Sequence, residues 1–583
     1  MKIYKSRPKA GECPEGFELY PELVRDLLLS RDLRTVTEAE EFFNPDYRRL
    51  HDPFLLKGME PATERIIGAL RAGERIAVWS DYDADGGPGG VILHDFFKKI
   101  GYQNFSNYIP ERHEQGFGLN AEGLEELAKE GARLIITVDC GISDVEEVSR
   151  AKELGMECII TDHHLPAEVL PAASAIINPR QKDCAYPDKN ICGAAVAWKL
   201  VQAALRRLRE ISADSSFHPK PHLLNSIPVG WEKWLLDLVA IATLSDMVPL
   251  LGENRILAAY GLLVLRKSPR LGLVKLFERL NIRQKFITED DVVWSLTPRL
   301  NAASRMGVSM DAFKLLSAES EEEAEHFSNE LERVNNERKG AVGALTREIK
   351  KVVSERGGAR GKKVIVLGNP AWRPSLLGLA ANSLVAETGR PVFLWGRDGA
   401  KILRGSCRAP AGADVVSIMR STQDVFIEFG GHALSGGFTI SHEGVHVLEA
   451  ELERVYSRFS QADSNAPEQF EIDKVFRVED IDGELYGHIG KFSPFGVGNP
   501  KPLFLISGAR ALQIKRFGKE KNHLELVLAG ESGKKISAIG FFKYSPELEE
   551  KLLGRSTVDL VGTLEKSTFG SGGLRLRIVD ILF

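Results

Sequence analysis

The sequence predicts an α/β protein of several domains: a parallel-sheet domain and a second α/β domain joined by a long helix, followed by a small β-barrel. Three observations carry this expectation. The 583 residues exceed what one hydrophobic core usually organises, so two to four domains are expected. From about residue 60 to 250, short apolar runs alternate with amphipathic helical patterns, the signature of a parallel sheet with crossover helices. Beyond about residue 468 the pattern changes to short strand-like runs separated by turns.

In chain order, the first strands are "RIAVWSDYD", "LIITVDCG" and "ECIITDHH", with the helical "DVEEVSRAKELG" between the last two. Each strand ends in a polar cluster, where open α/β sheets bind ligands. A second α/β unit is announced by "KKVIVLGNP" and "GRPVFLWGR". Between the two units lies a charged, helical-period stretch ending in glycines, which reads as a connecting helix with a solvated face. The polar "SQADSNAPEQ" marks a further boundary, and about five strands follow, from "PLFLISGARALQIKRFG" to "LRLRIVDILF". The expected boundaries are an N-terminal segment packing on the core (1–60), the parallel-sheet domain (61–315), the connecting helix (316–360), the second α/β domain (361–460) and a barrel of the oligonucleotide-binding type (468–583).

Composition narrows the function. A net charge of -5 excludes a uniformly basic coat for nucleic acid, so any phosphate-binding surface must be local. One candidate lies in the barrel, where Arg510, Lys515, Arg516, Lys519 and Lys521 surround Phe517 with a single acid, Glu520. A basic stripe beside an aromatic suits single-stranded nucleic acid, although alone it reads equally as a solvated strand face. The six cysteines form no C-x-x-C pair, which argues against a disulfide framework or a thiolate zinc site and fits a reducing cytosol. The N-terminus has no apolar signal core, and no run approaches the roughly 20 apolar residues of a membrane helix. A cytoplasmic protein with no membrane partner is expected.

"DYDADGGPGG", residues 81–90, sets three carboxylates at alternate positions before what reads as a loop of glycines and one proline. Asp81, Asp83 and Asp85 repel one another unless a cation lies between them. Further acids and histidines recur at predicted strand ends: Asp139 after "LIITV", Asp162, His163 and His164 after "ECIIT", and Asp246 in "IATLSDMVPL". Asp and His without Cys is the ligand chemistry of Mn²⁺ or Mg²⁺. Two such cations, roughly 4 Å apart, would activate a water and clamp a phosphate oxygen. A lone D-x-D or His-His pair is usually a turn or surface feature, but four clusters at strand ends are harder to dismiss.

These blocks resemble the DHH phosphoesterase superfamily and, within it, the RecJ family of single-strand-specific 5′→3′ exonucleases. "DYDADG", "YIPERHEQGFGLN", "TVDCGI", "TDHH" and "SDMVPL" are similar to the catalytic blocks, in order. "PRLNAASRMG", "AWRPSLLGLAANSL", "GSCRAP" and "FGGHALSGGF" resemble the interdomain and DHH-associated blocks, and "FSPFGVGNPKPLF" the oligonucleotide-binding domain. The resemblance implies that Asp83 holds one metal, assisted by Asp81, and Asp85 the other. Asp139 bridges both, His163 and Asp246 complete the second site, Asp162 orients a histidine and His164 faces the scissile phosphate. Arg112, Arg299, Asn301, Arg305, Ser406, Arg408 and His432 are its implied substrate contacts. The plain alternative for the arginines is an interdomain salt bridge, which fits Arg299 better than Arg408. Single-stranded DNA as substrate, two Mn²⁺ or Mg²⁺ ions, a monomer, and work beside a single-strand-binding protein and a helicase are implied with it. The alternatives are a phosphodiesterase of short oligonucleotides or cyclic dinucleotides, and a silent single-strand-binding scaffold. Departures from the family pattern are Gly87, Pro88, Gly89 and Gly90 in place of a hydroxyl-bearing helix start, Ser304 in "NAASR", and Arg373 and Ser375 in "AWRPS".

Overall fold

The apolar runs 75–80, 132–138 and 157–161 become neighbouring strands of one parallel sheet in the computed structural model. The structure describes residues 3–6, 13–113, 115–211, 226–355, 362–397, 402–410, 412–459, 469–518, 521–567 and 573–583. Two units are distinguished by their internal contacts: Leu50–Val248 with Tyr260–Ser464, and Met1–Arg49 with Pro249–Ala259 and Asn465–Phe583.

In the first unit the spatial strand order is Phe105–Tyr108, Arg75–Ser80, Ala132–Val138, Glu157–Thr161 and Ala175–Ile177, every pairing parallel. Ile76, Val78, Leu134, Ile136 and Ile159 are fully buried, as are Ala77, Ile135 and Ile160 at the alternate positions. Burial on both faces explains why these strands read as continuous apolar runs rather than alternating ones. A second sheet runs in the order Phe426–His432, Ser435–Ile440, Leu403–Arg408, Val392–Arg397, Ile365–Gly368; only the last pairing is parallel. The connecting helix, expected over 316–360, runs Glu321–Glu355 because Ser309–Ser317 forms a helix of its own. It packs on Leu271–Arg279, Thr297–Met306 and Ser309–Ser317, and on Pro374–Thr388 beside the second sheet. It therefore joins the helices Leu271–Arg279, Thr297–Met306 and Ser309–Ser317 to the helix beside the second sheet.

Two local expectations are corrected. The run containing "IATLS" is a helix, Leu236–Ser245, with Asp246 as its C-cap, so Asp246 does not follow a strand. Nine of its residues are buried; a helix apolar all round carries no amphipathic period, and a short apolar run cannot be assigned by pattern alone. Likewise "GGPGG" is not a loop but the start of the helix Gly86–Lys99, with Asp85 as N-cap. Pro88 stands in the first turn, where no intrahelical N–H bond is lost. Glycine is required by close approach: a Cβ on Gly86 would lie 2.6 Å from the Asp81 Cβ, and one on Gly90 2.1 Å from Ser80 Oγ.

In the second unit Phe504–Phe517, His523–Ala529 and Lys535–Gly540 pair antiparallel in sequence. Leu574–Leu582 lies parallel to Lys535–Gly540, and Val558–Lys566 joins it to Phe504–Phe517, closing a five-stranded barrel. Phe504, Ile506, Leu526, Leu560 and Leu576 fill it. The N-terminal helices Glu22–Leu29 and Val36–Phe43 contribute Leu23, Leu27, Leu28 and Phe42 to the same core. Ile3–Ser6 pairs in parallel with Gln469–Ile472, so residues from both ends of the sequence meet in this unit.

Candidate metal centre and phosphate pocket

Adjacent strands of the parallel sheet deliver their polar ends to one place. Asp81 N–H donates to Val138 O at 3.0 Å, Asp139 N–H to Thr161 O at 2.9 Å and Asp162 N–H to Ile177 O at 3.0 Å, continuing the ladder just beyond the strands. Asp139 sits at φ 62°, the left-handed region a non-glycine residue adopts at a cost of about 1–3 kcal/mol. Such strain at a turn beside other acids marks a site that the surrounding sheet holds in place.

Three groups have ligand atoms within 4.8 Å of one another: Asp81, Asp83 and Asp139; Asp85, His163 and Asp246; and Asp139, His163 and His164. His163 Nε2 lies 3.0 Å from Asp139 Oδ1, 3.7 Å from Asp85 Oδ2 and 3.8 Å from Asp246 Oδ2. Asp83 Oδ1 accepts the Asp85 and Gly86 amides at 2.7 and 3.1 Å, which folds the D-x-D turn. Both Asp85 oxygens are held at 2.7 Å by the Gly193 and Ala194 amides, the first residues of the helix Gly193–Ile211. A helix N-terminus is a natural support for a carboxylate. A Cβ on Gly193 would lie 2.6 Å from Asp139, so the helix start and that acid need glycine between them.

The cluster is strongly self-repelling. Burial, then the Asp83 charge, raises Asp85 to about 7. Burial, then Asp85 and Asp83, raises Asp246 to about 8. Asp81 and Asp139 are pushed well above the carboxylate range by burial and their acidic neighbours. Burial, then the neighbouring His164, lowers His163 to about 3, which favours its neutral form. For His164 burial acts downward, but the hydrogen bond and charge of Asp162 outweigh it and raise the pKa to about 9. Asp162 Oδ1 is 2.8 Å from His164 Nδ1, while its Oδ2 accepts the Ile142 amide at 3.0 Å. Asp81 Oδ1 and Asp139 Oδ1 are buried with no hydrogen-bond partner among the described residues. Buried hard oxygens, that of Asp81 unpartnered and that of Asp139 facing only the His163 ring nitrogen, fit divalent cations of the Mn²⁺ or Mg²⁺ type.

A second group in the same unit repels itself with the opposite sign. Burial, then Arg112, Arg338 and Arg408, lowers Arg305 to about 9. Arg112 lies over the Tyr82 ring at 4.9 Å, next to Asp81 and Asp83 in sequence. Arg305 Nη1 donates to Ser375 O at 2.7 Å, and Ser375 Oγ donates back to Arg305 O at 3.0 Å. On the strand Leu403–Arg408 burial alternates, so Ser406 and Arg408 share the open face while Gly405 and Cys407 face the core. His432 ends the edge strand Phe426–His432, and burial, then His164 and Arg180, lowers its pKa. Two further expected contacts also hold partners within the protein. Arg299 pairs with Glu332 at 2.6 Å and donates to Ser295 O, fastening its helix to the connecting helix. Asn301 Oδ1 accepts the Ala84 amide at 2.8 Å and so braces the D-x-D turn.

Comparison with known proteins follows this geometry. The DHH family N-terminal domain matches residues 75–243, and the RecJ OB domain matches residues 472–580. The single-stranded-DNA-specific exonuclease RecJ of Bacillus subtilis is 35% identical over 558 residues, 95% of this chain and 67% of that protein. That of Haemophilus influenzae is 30% identical over 544 residues, 90% of each. The chain belongs to the RecJ family. A RecJ of Thermus thermophilus solved with Mn²⁺ superposes with a TM-score of 0.79 at 27% identity, covering 100% of this chain and 79% of that one. Its Mg²⁺ complex gives 0.72 at 25% identity, covering 100% and 78%.

The RecJ-type blocks hide some contributors. Arg338 lies in the charged connecting helix, where nothing separates it from solvated neighbours. The Gly193 and Ala194 amides carry no side-chain signal beyond the small-residue run "CGAAVA". In the OB domain, Lys515 is 3.6 Å from Glu525 and Arg516 4.0 Å from Glu549, so the patch is partly paired. Phe517 packs edge-on to Phe541, with centroids 5.8 Å apart. Lys521 has a left-handed backbone at φ 52°, and Lys519 lies outside the described residues. No described helix is long and apolar enough to cross a membrane.

Proposed function

We propose that the protein is a metal-dependent exonuclease that removes 5′-mononucleotides from single-stranded DNA in the 5′→3′ direction, in repair and recombination. The observation that carries this reading is the pairing, in one unit, of a largely buried cluster of aspartates and histidines with a group of mutually repelling arginines. A phosphodiester chain, with cations on one side and guanidinium groups on the other, compensates both. Asp81, Asp83 and Asp139 would hold one Mn²⁺ or Mg²⁺ ion, and Asp85, Asp139, His163 and Asp246 the other. When bound, the ions supply the Lewis acidity that lowers the pKa of a water and offsets phosphate charge.

The chain's own residues do the rest. Gly193 and Ala194 fix Asp85 through their amides, and Asp162 keeps His164 protonated and oriented. His164, protonated at neutral pH, can donate to an oxygen of the scissile phosphate. Arg112, Arg305, Arg408 and Ser406 grip a terminal phosphate, for which the planar guanidinium fork is suited. His432 contacts the strand beside His164. The parallel-sheet domain is assigned the chemistry, the second α/β domain end recognition, and the barrel the trailing strand. A cytoplasmic monomer acting on strands exposed by a helicase or coated by a single-strand-binding protein fits this reading.

The test is an assay on 5′- and 3′-labelled single strands with Mn²⁺. Early release of labelled mononucleotide from the 5′ end only, abolished by chelator, is expected. Release from the 3′ end, or cleavage within the strand, would overturn the polarity or the exonuclease reading respectively.

A further inference from the structure

The loop from strand Phe105–Tyr108 to helix Ala121–Lys129 touches both charge clusters. At its start, Arg112 lies over Tyr82 and His113 Nε2 is 3.1 Å from Arg305 O, within the arginine group. Five residues on, the Phe117 ring stands edge-on to His164, with centroids 5.5 Å apart at 74°. His164 Nδ1 is itself 3.9 Å from Asp139 Oδ1. The loop thus links the arginine group proposed for a terminal phosphate with His164, proposed to face the scissile one.

Phe117 is 51% exposed, an open aromatic face beside a buried polar centre. The backbone presents it firmly. Gln115 accepts the Glu111 amide at 2.9 Å and donates to Tyr108 Oη at 2.9 Å. On the far side the Leu119 amide donates to Asp144 Oδ2 at 2.7 Å. Gly118, at φ 82°, lets that carboxylate approach: a Cβ there would lie 2.5 Å from Asp144 Oδ2. A ring anchored on both flanks and left open on one side is a stacking surface. Every base has a π-face, so stacking serves an exonuclease that must accept all four.

We propose that the base of the nucleotide being excised stacks on Phe117, an inference that rests on the exonuclease reading above. The ring then aligns the terminal nucleotide between its two phosphates, and the enzyme slows where the terminal residue has no base.

The experiment compares 5′-phosphorylated oligonucleotides whose terminal residue carries a base or is an abasic tetrahydrofuran, using wild type, Phe117→Ala and Phe117→Trp. Wild type should lose roughly 5- to 150-fold in kcat/KM on the abasic end. Phe117→Ala should lose a similar factor on the normal end and little more on the abasic one, and Phe117→Trp should behave as wild type. In parallel, a terminal 2-aminopurine should be quenched on binding in Ca²⁺, where no cleavage is needed, by wild type and Phe117→Trp but not by Phe117→Ala. Equal slowing of both ends by Phe117→Ala, with quenching retained, would overturn stacking and leave the ring only as support for His164. A wild type that quenches but never cleaves would instead overturn the exonuclease reading and leave the stacking intact.

Discussion

Two largely buried arginines of one unit have opposite neighbours. Arg270 meets Asp95 at 2.9 Å and Asp237 at 3.3 Å, and donates to Leu316 O at 2.8 Å. Against the downward pull of burial, those carboxylates raise its pKa. Burial, then the charges of Arg112, Arg338 and Arg408, takes the pKa of Arg305 down to about 9. The acids divide in the same way: Asp95 and Asp237 share a guanidinium, while Asp81, Asp85, Asp139 and Asp246 face one another. Charge paired inside the protein holds the fold. Charge left unpaired there is relieved by protonation changes or by something that arrives from outside.

The sharpest separation of the two kinds of charge is Asp139→Ala. Hydrolysis should fall by about three orders of magnitude or more, because one carboxylate serves both proposed cation sites. In chelator the mutant should melt no lower than wild type, since a member of a self-repelling cluster has been removed. A clear drop in its chelated Tm would mean that the acids are compensated within the protein, and the contrast would fail.

Arg270→Met should do the reverse. Leaving Asp95 and Asp237 buried without their guanidinium costs about 3–5 kcal/mol. Denaturant melts should record that loss, while kcat per folded molecule stays within a few-fold of wild type. Lost activity at full stability would move Arg270 into the functional group.

The extent to which the sequence foretold this arrangement follows the same division. Asp83, Asp139 and His163 were legible because polar residues closing apolar strands are conspicuous, and strand ends in a parallel sheet converge. Asp246 was legible as a member of the acidic cluster but not in its setting, because the helix Leu236–Ser245 is buried all round and carries no period. The glycines after Asp85 looked like a loop because helix propensity opposes them; the contacts to Ser80 and Asp81 that demand them are tertiary. Arg338 and the Gly193 amide carried no local signal, since one resembles any charge on a solvated helix and the other is backbone. Arg299 and Asn301 hold partners within the protein, Glu332 and the Ala84 amide, that no local pattern announces.

Arg408→Ala tests the cationic group at lower amplitude. It shares the open face of its strand with Ser406, and a charge-assisted bond to phosphate is worth about 1.5–3 kcal/mol. The preference for 5′-phosphorylated over 5′-hydroxyl strands should therefore fall roughly 10- to 150-fold, with metal affinity little changed. Equal loss on both substrates would mean that Arg408 grips an internal phosphate, and end recognition would pass to Arg305.

The smallest effect is expected in the barrel, whose charges lie between the two extremes. Lys515 and Arg516 have carboxylates at 3.6 and 4.0 Å, so each gains less from a phosphate than an arginine without one. Deleting everything after residue 465 is a poor test, because Leu23, Leu27 and Phe42 would lose the core they share with the barrel. Lys515→Ala with Arg516→Ala keeps that core. On single strands a full phosphate contact contributes about 0.7 to the slope of log K against log salt, so the pair should lower the slope by less than about 1.4. Binding titrations on long single strands between low and physiological salt would measure it. No change in slope would place these two cations with Arg270, among charges already satisfied by the protein itself. A loss of the full 1.4 would show that Glu525 and Glu549 swing away when the strand arrives, and would move the patch to the side of Arg305.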